Sequence, residues 1–120
     1  MWPSEWIRGR EAAIKELERW SGARAQVWSY KVSHSQFLVR LHRVEKSTTP
    51  LSLYLYMKCC HRVAFSDYWD NAAIQIEERP GKYGPEFFVS DGEHLFVHCG
   101  AVFAAEADEF VSTGFQPFPQ

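Results

Sequence analysis

Cysteine is scarce in this chain. There are three: an adjacent pair, Cys59 and Cys60, and a single Cys99. An odd number with no spaced framework excludes the disulfide scaffold of small secreted domains, and without a CxxC there is no redox motif. Long apolar runs are also missing, so no segment reaches the length of a membrane span. Charge of one sign is not in excess: the formal net charge of −2 excludes a general nucleic-acid binder, which would be basic. The opening "MWPSEWIRGR" has no basic stretch followed by an apolar one, so no signal peptide is read and a reducing cytoplasm is the expected compartment. Phosphate-loop, nucleophile-elbow and zincin motifs, internal repeats and linkers are likewise lacking.

What is present fits one domain over 1–120. Hydrophobic residues make up 46% and charged residues 23%, too apolar for a disordered chain. Aromatics reach 16%, more than a small core readily absorbs, so some are expected at a binding or oligomer surface. Charge is unevenly spread. Residues 1–46 hold nine Lys/Arg and five Asp/Glu, whereas 47–120 hold four and ten. Such a chain can present one acidic face unless strand interleaving mixes the charges.

The stretch "PSEWIRGREAAIKELERWSG" predicts the main helix, over 5–21, with Ser4 as its cap and Gly22 as its stop. Trp6, Ile14 and Leu17 recur at helical spacing as its anchors. Gly9 inside it suggests close packing. Strands are predicted in "ARAQVWSYKV", "SQFLVRLHRV", "LSLYLYMKCC", "NAAIQIEE", "EFFVS" and "EHLFVHC". "SHS" and "DG" read as hairpin turns and "RPGKYGP" as a connector. "AVFAAEADEF" is ambiguous. Phe103, Ala107 and Phe110 suit a short C-terminal helix, while "AVFA" could extend a strand; a helix is the reading adopted. The expected fold class is α+β: an N-terminal helix packed on one face of a curved antiparallel sheet of about six strands.

Two clusters suggest metal chemistry: Cys59, Cys60 and His61, and His94, His98 and Cys99. Strand geometry argues against chelation. Successive residues alternate in facing, so Cys59 and Cys60 diverge, and Cys59 and Cys99 fall on apolar faces as small buried hydrophobes. His94 and His98 would lie roughly 13 Å apart on a strand, too far to share zinc. No metal and no cofactor is therefore expected.

Alternation also defines an outer face. Leu51, Leu53, Leu55 and Met57 read as core, leaving Tyr54 and Tyr56 outward. Arg40 and His42 oppose Phe37, Val39 and Leu41, while His94, Phe96 and His98 oppose Leu95 and Val97. Trp28 and Tyr30 share one face of the first strand and could join either side. Aromatic bodies with polar tips suit an interface, so Tyr54, Tyr56, Arg40, His42, His94, Phe96 and His98 are the candidate binding residues. The leading expectation is a non-enzymatic module binding a protein partner or small ligand, with a homodimer also open, and with neither nucleic acid nor membrane as partner. In size, mild acidity and aromatic content the chain is similar to some bacterial immunity proteins, which bind and block a partner toxin, a resemblance of composition alone. The rival reading is a metal-dependent or hydrolytic enzyme using His94, His98, Cys60 and His42.

Overall fold

A computed structural model describes residues 7–8, 10–43 and 51–108. The one α-helix among the described residues, α1 (Arg10–Arg19), is shorter than the predicted span. Ile7 and Arg8 are not helical: they form a short strand, β1 (Ile7–Arg8), pairing Ala104 and Phe103. The predicted cap at Ser4, the anchor at Trp6 and Gly9 lie outside the described residues. Glu11 in the first turn and Arg19 in the last complement the helix dipole. Ala13, Leu17 and Trp20 form the buried stripe, while Ile14 is only half-buried. Gly22 ends the segment in the left-handed region, φ 85°, as a stop residue should.

Apart from one 3-10 turn, the remaining described elements are strands, and they form two antiparallel sheets rather than one. The larger sheet has the order β1-β10-β4-β3-β2-β6. Its members are β2 (Arg24–Lys31), β3 (Gln36–His42), β4 (Leu51–Lys58), β6 (Tyr68–Trp69) and β10 (Ala101–Asp108), with β1 at its edge. The smaller sheet has the order β5-β9-β8-β7, from β5 (Arg62–Phe65), β7 (Gln75–Gly81), β8 (Gly84–Asp91) and β9 (Leu95–Cys99). The predicted "SHS" turn is a single 3-10 turn, Val32–His34, closed by left-handed Ser35.

No C-terminal helix forms over 101–108. That stretch is β10, paired along its length with β4 from Ala101↔Lys58 to Asp108↔Leu51. The reason lies in its surroundings. Val102 and Ala104 enter one core and Phe103 another, so both faces are apolar and no alternation marks the strand. Residues 109–110 of the predicted helix lie outside the description.

The main core lies between the sheets. Phe37, Val39, Leu53, Leu55 and Met57 from the larger sheet meet Val89, Leu95 and Val97 from the smaller. Register aligns these residues: Phe37↔Met57 and Val39↔Leu55 in one sheet, Val89↔Val97 in the other. Helix α1 closes one flank, against β10 and β7. Each fully buried Leu contributes about 1.5–3 kcal/mol. The chain passes between sheets at Gly100, whose N–H donates to the Lys58 and Cys59 carbonyls at 3.0 and 3.2 Å. A Cβ at Gly100 would stand 3.1 Å from that of Cys59, so glycine suits this corner.

The charge halves interleave. Arg24 pairs with Asp70 at 2.7 Å, and Arg19 with Glu106 at 3.2 Å. No helix among the described residues is long and apolar enough to cross a membrane.

Candidate functional site

The predicted outer face divides between the two sheets, and half of it is buried. Tyr54 and Tyr56 do point away from Leu53, Leu55 and Met57, as alternation requires, but both are 0% exposed. They join Leu38 and Phe103 in a second apolar cluster. Tyr56 stacks on Phe103 with ring centroids 5.6 Å apart, and Tyr54 meets Trp28 edge-on at 6.4 Å. Burial pushes the Tyr56 phenol up to about 12, with the neighbouring Cys60 and Cys59 adding and a Gln36 hydrogen bond opposing. Arg40 and His42 lie on this same face, half-buried, with the Arg40 guanidinium 4.6 Å from the Trp28 ring. Tyr54 and Tyr56 are therefore closed off from solvent, while Arg40 and His42 keep part of their surface. The larger sheet is apolar on both sides, which alternation within one strand cannot reveal.

A bulge between Val27 and Ser29 separates Trp28 from Tyr30. Trp28 packs with the second cluster, while Tyr30 turns toward Phe37 and Phe65. They do not share a face.

A partly exposed aromatic face belongs to the smaller sheet. Ile76, Phe87, Val89, Leu95, Val97 and Cys99 take the inward positions. Their alternates form outward rows. One row runs Arg62↔His98↔Phe88↔Glu77 across β5, β9, β8 and β7. The next runs Ala64↔Phe96↔Ser90↔Gln75, and Glu86↔Arg79 follows on the other side. Phe88 is the hub. His98 stacks on it with centroids 4.5 Å apart and planes 11° from parallel, and the Arg79 guanidinium sits 4.6 Å from its centroid. Phe96 packs 6.3 Å away, and His61 lies 5.0 Å from His98.

Polar contacts hold these rings. Arg79 donates twice to Glu77, at 3.0 and 3.1 Å. That bidentate hydrogen bond lowers the Glu77 carboxyl below its ordinary range and raises the Arg79 guanidinium. His98 Nε2 lies 3.0 Å from Glu86 Oε1. Phe88, Phe96 and His98 remain half-buried, with exposed Arg62, Ala64, Glu77 and Arg79 around them. Of the predicted residues, Phe96 and His98 thus sit together. His94 does not join them: it precedes β9, stacks on Trp69 at 5.6 Å, and its Nδ1 is 3.4 Å from Ser66 Oγ. Arg79, Phe88, Glu86 and Arg62 are not among the predicted residues, and His61 is predicted only as part of a Cys/His cluster. Their signal was the alternation in "IEER" and "EFFVS", obscured by the double Phe and by the Pro and Gly that follow.

The two Cys/His clusters approach one another at the Gly100 corner. His61 N–H donates to the His98 carbonyl at 2.8 Å. No group of three His, Cys, Asp or Glu side chains that could hold a metal occurs among the described residues. Cys59 is exposed, not buried, because β4 ends at Lys58 and Cys59 adopts φ 58°, which breaks the alternation. Cys60 is half-buried, its thiol pushed up to about 12 chiefly by burial, and Cys99 is fully buried with its thiol raised for the same reason. Among the described residues no carboxylate contact to the His94 ring accompanies the Ser66–His94 pair; Asp91 Oδ2 accepts from Trp69 Nε1 at 2.6 Å and Ala73 N–H at 2.9 Å. A groove of 570 Å³ runs between α1 and residues 73–76, with Arg10 Nε donating to the Ile76 carbonyl at 3.0 Å. Its walls are largely apolar, from Ile14, Leu17 and Ile74.

The chain matches no protein-family model, no curated protein and no solved structure.

Proposed function

We propose that this protein is a non-enzymatic binding module whose recognition surface is the outer face of the smaller sheet. One observation carries the reading: Phe88, Phe96 and His98 form a contiguous aromatic patch, mostly buried but open along one side, braced by Arg79 and Glu86. Rings held in place lose little entropy when a partner covers them, and aromatic and Arg side chains supply much of the energy at protein interfaces. A sheet face offers breadth rather than concavity, which suits a protein partner better than a small molecule. This is the class of function of the immunity-type binders to which the composition is similar.

A photo-crosslinking amino acid placed at Ala64 or Ser90 tests it in cells, with Lys15 on the helix as the control position. Covalent adducts to protein at the two sheet positions, lost when Phe88 is changed to Ser, are expected. Capture at Lys15 with none at Ala64 and Ser90 would refute the assignment.

A further inference from the structure

The row across the smaller sheet complements itself, and this points to the partner. Resting on the assignment of that face as the recognition surface, we infer that its occupant is a second copy of this chain, packed face to face about a two-fold axis parallel to the strands. The argument uses only the register. From edge to edge the central row reads Arg62, His98, Phe88, Glu77. A two-fold along the strands, lying between two facing sheets, exchanges left and right edges but preserves height along the strand. Arg62 then lies opposite the partner's Glu77, and His98 opposite the partner's Phe88. The adjacent row obeys the same rule. Ala64 meets the partner's Gln75, and the large Phe96 meets the partner's small Ser90. By symmetry each contact occurs twice, as an isologous interface requires.

The orientation is selective. An axis perpendicular to the strands would instead set Arg62 against the partner's Arg62 and Glu77 against the partner's Glu77, and opposed like charges are unfavourable. Arg62 is exposed and forms no ion pair among the described residues, so its charge is open to a partner. Glu77 already receives Arg79, but a carboxylate has about four acceptor sites and can take a second cation. Facing twisted sheets cross at about 30°, and the row ends lie about 7 Å from the axis. The resulting displacement is under about 4 Å, within an Arg side chain's reach. The patch measures roughly 15 by 17 Å from strand spacing and rise. That is small beside the roughly 800 Å² per partner of a stable complex, so the dimer is weak and reversible.

Sedimentation equilibrium from about 5 to about 500 µM reads this directly, in the range expected for small interfaces. The wild type should move from one chain mass toward two. Arg62→Glu and Glu77→Arg should each weaken association by about tenfold or more, since each sets like charges against each other. The combined variant should associate several-fold more tightly than either single one, because the Arg62–Glu77 contact is restored with its signs exchanged, though short of wild type since Arg79 has lost its carboxylate. Both positions are exposed, and thermal melts check that the variants fold. A wild type that stays monomeric overturns the inference, as does a combined variant as weak as the single ones. The crosslink at Ala64 separates the levels. An adduct of twice the chain mass supports the dimer. An adduct of another mass, with monomeric sedimentation, overturns the dimer and leaves the recognition face standing. No adduct overturns both.

Discussion

Tyr56 in the larger sheet and Phe88 in the smaller are both rings on the strand face opposite the main core, yet they have opposite fates. Tyr56 is fully buried and stacked on Phe103. Phe88 is only partly buried, between His98 and Arg79. Alternation decides which face a side chain takes; whether that face is covered decides what the side chain does. A ring on a closed face contributes stability. A ring on an open face is available to a partner. The difference makes the tyrosine face of the larger sheet a second core and leaves the outer face of the smaller sheet partly open.

Substitutions that compare the faces should give the largest effects. Tyr56→Ser should destabilise the fold by about 3–5 kcal/mol, as for truncation of a buried aromatic. Phe88→Ser should cost under about 1 kcal/mol in the isolated chain, because its ring is partly solvated already. Denaturant titrations give both values, and equal losses would erase the distinction between the sheets.

The thiols sharpen the same contrast kinetically. Labelling of native protein should be fastest at Cys59, slower at Cys60 and slowest at Cys99. Cys59 is exposed at the end of β4, whereas burial holds the Cys60 and Cys99 thiols in their unreactive protonated form. Peptide mass mapping orders the rates, and rapid modification of Cys99 would mean that the space between the sheets is open.

The smallest effect concerns the flank where α1 meets β10. Burial lifts the Glu16 carboxyl above its usual 4.5; Arg19 opposes this and Glu106 adds to it. A raised folded-state value means the folded chain binds the proton more tightly than the unfolded one. Ionised Glu16 is therefore unfavourable at neutral pH, and stability is gained as pH falls through the raised value. Glu16→Gln should stabilise by about 0.5 kcal/mol or less at pH 7, with the gain vanishing below about pH 4. Thermal melts at the two pH values measure it. A loss at pH 7 would show that the Arg19 pair at 3.1 Å outweighs the burial.

Much of the architecture was legible residue by residue. The strands around "AQVWSYK", "QFLVRLH", "LSLYLYMK" and "LFVHC" lie where alternation put them, and Gly22 and Gly92 mark stops at positive φ. The partition into two sheets was not legible, because it depends on the corner at Gly100 and on pairings remote in sequence. β10 was hidden by its two apolar faces. The "RPGKYGP" segment looked like a connector, but Pro80↔Pro85 and Gly81↔Gly84 extend the β7–β8 hairpin, with β7 at an edge where proline is tolerated. For the site, parity placed Phe96 and His98 correctly on an outward face. It also turned Tyr54 and Tyr56 away from the main core, but coverage is not written in one strand, so their burial was not legible; His94 escaped it because that residue lies in the turn before β9 begins.

Nitration of the native chain by tetranitromethane, followed by peptide mass mapping, tests the closed-face and open-face distinction most directly. The chain has five tyrosines, and they fall into two groups. Tyr83 is 92% exposed, Tyr68 65% and Tyr30 41%, whereas Tyr54 and Tyr56 are 0% exposed. Tyr83 and Tyr68 should be modified first, Tyr30 next, and Tyr54 and Tyr56 only after unfolding. Nitration of Tyr54 or Tyr56 in folded protein at the rate of Tyr68 would contradict the account, since the tyrosine face would then be the open one.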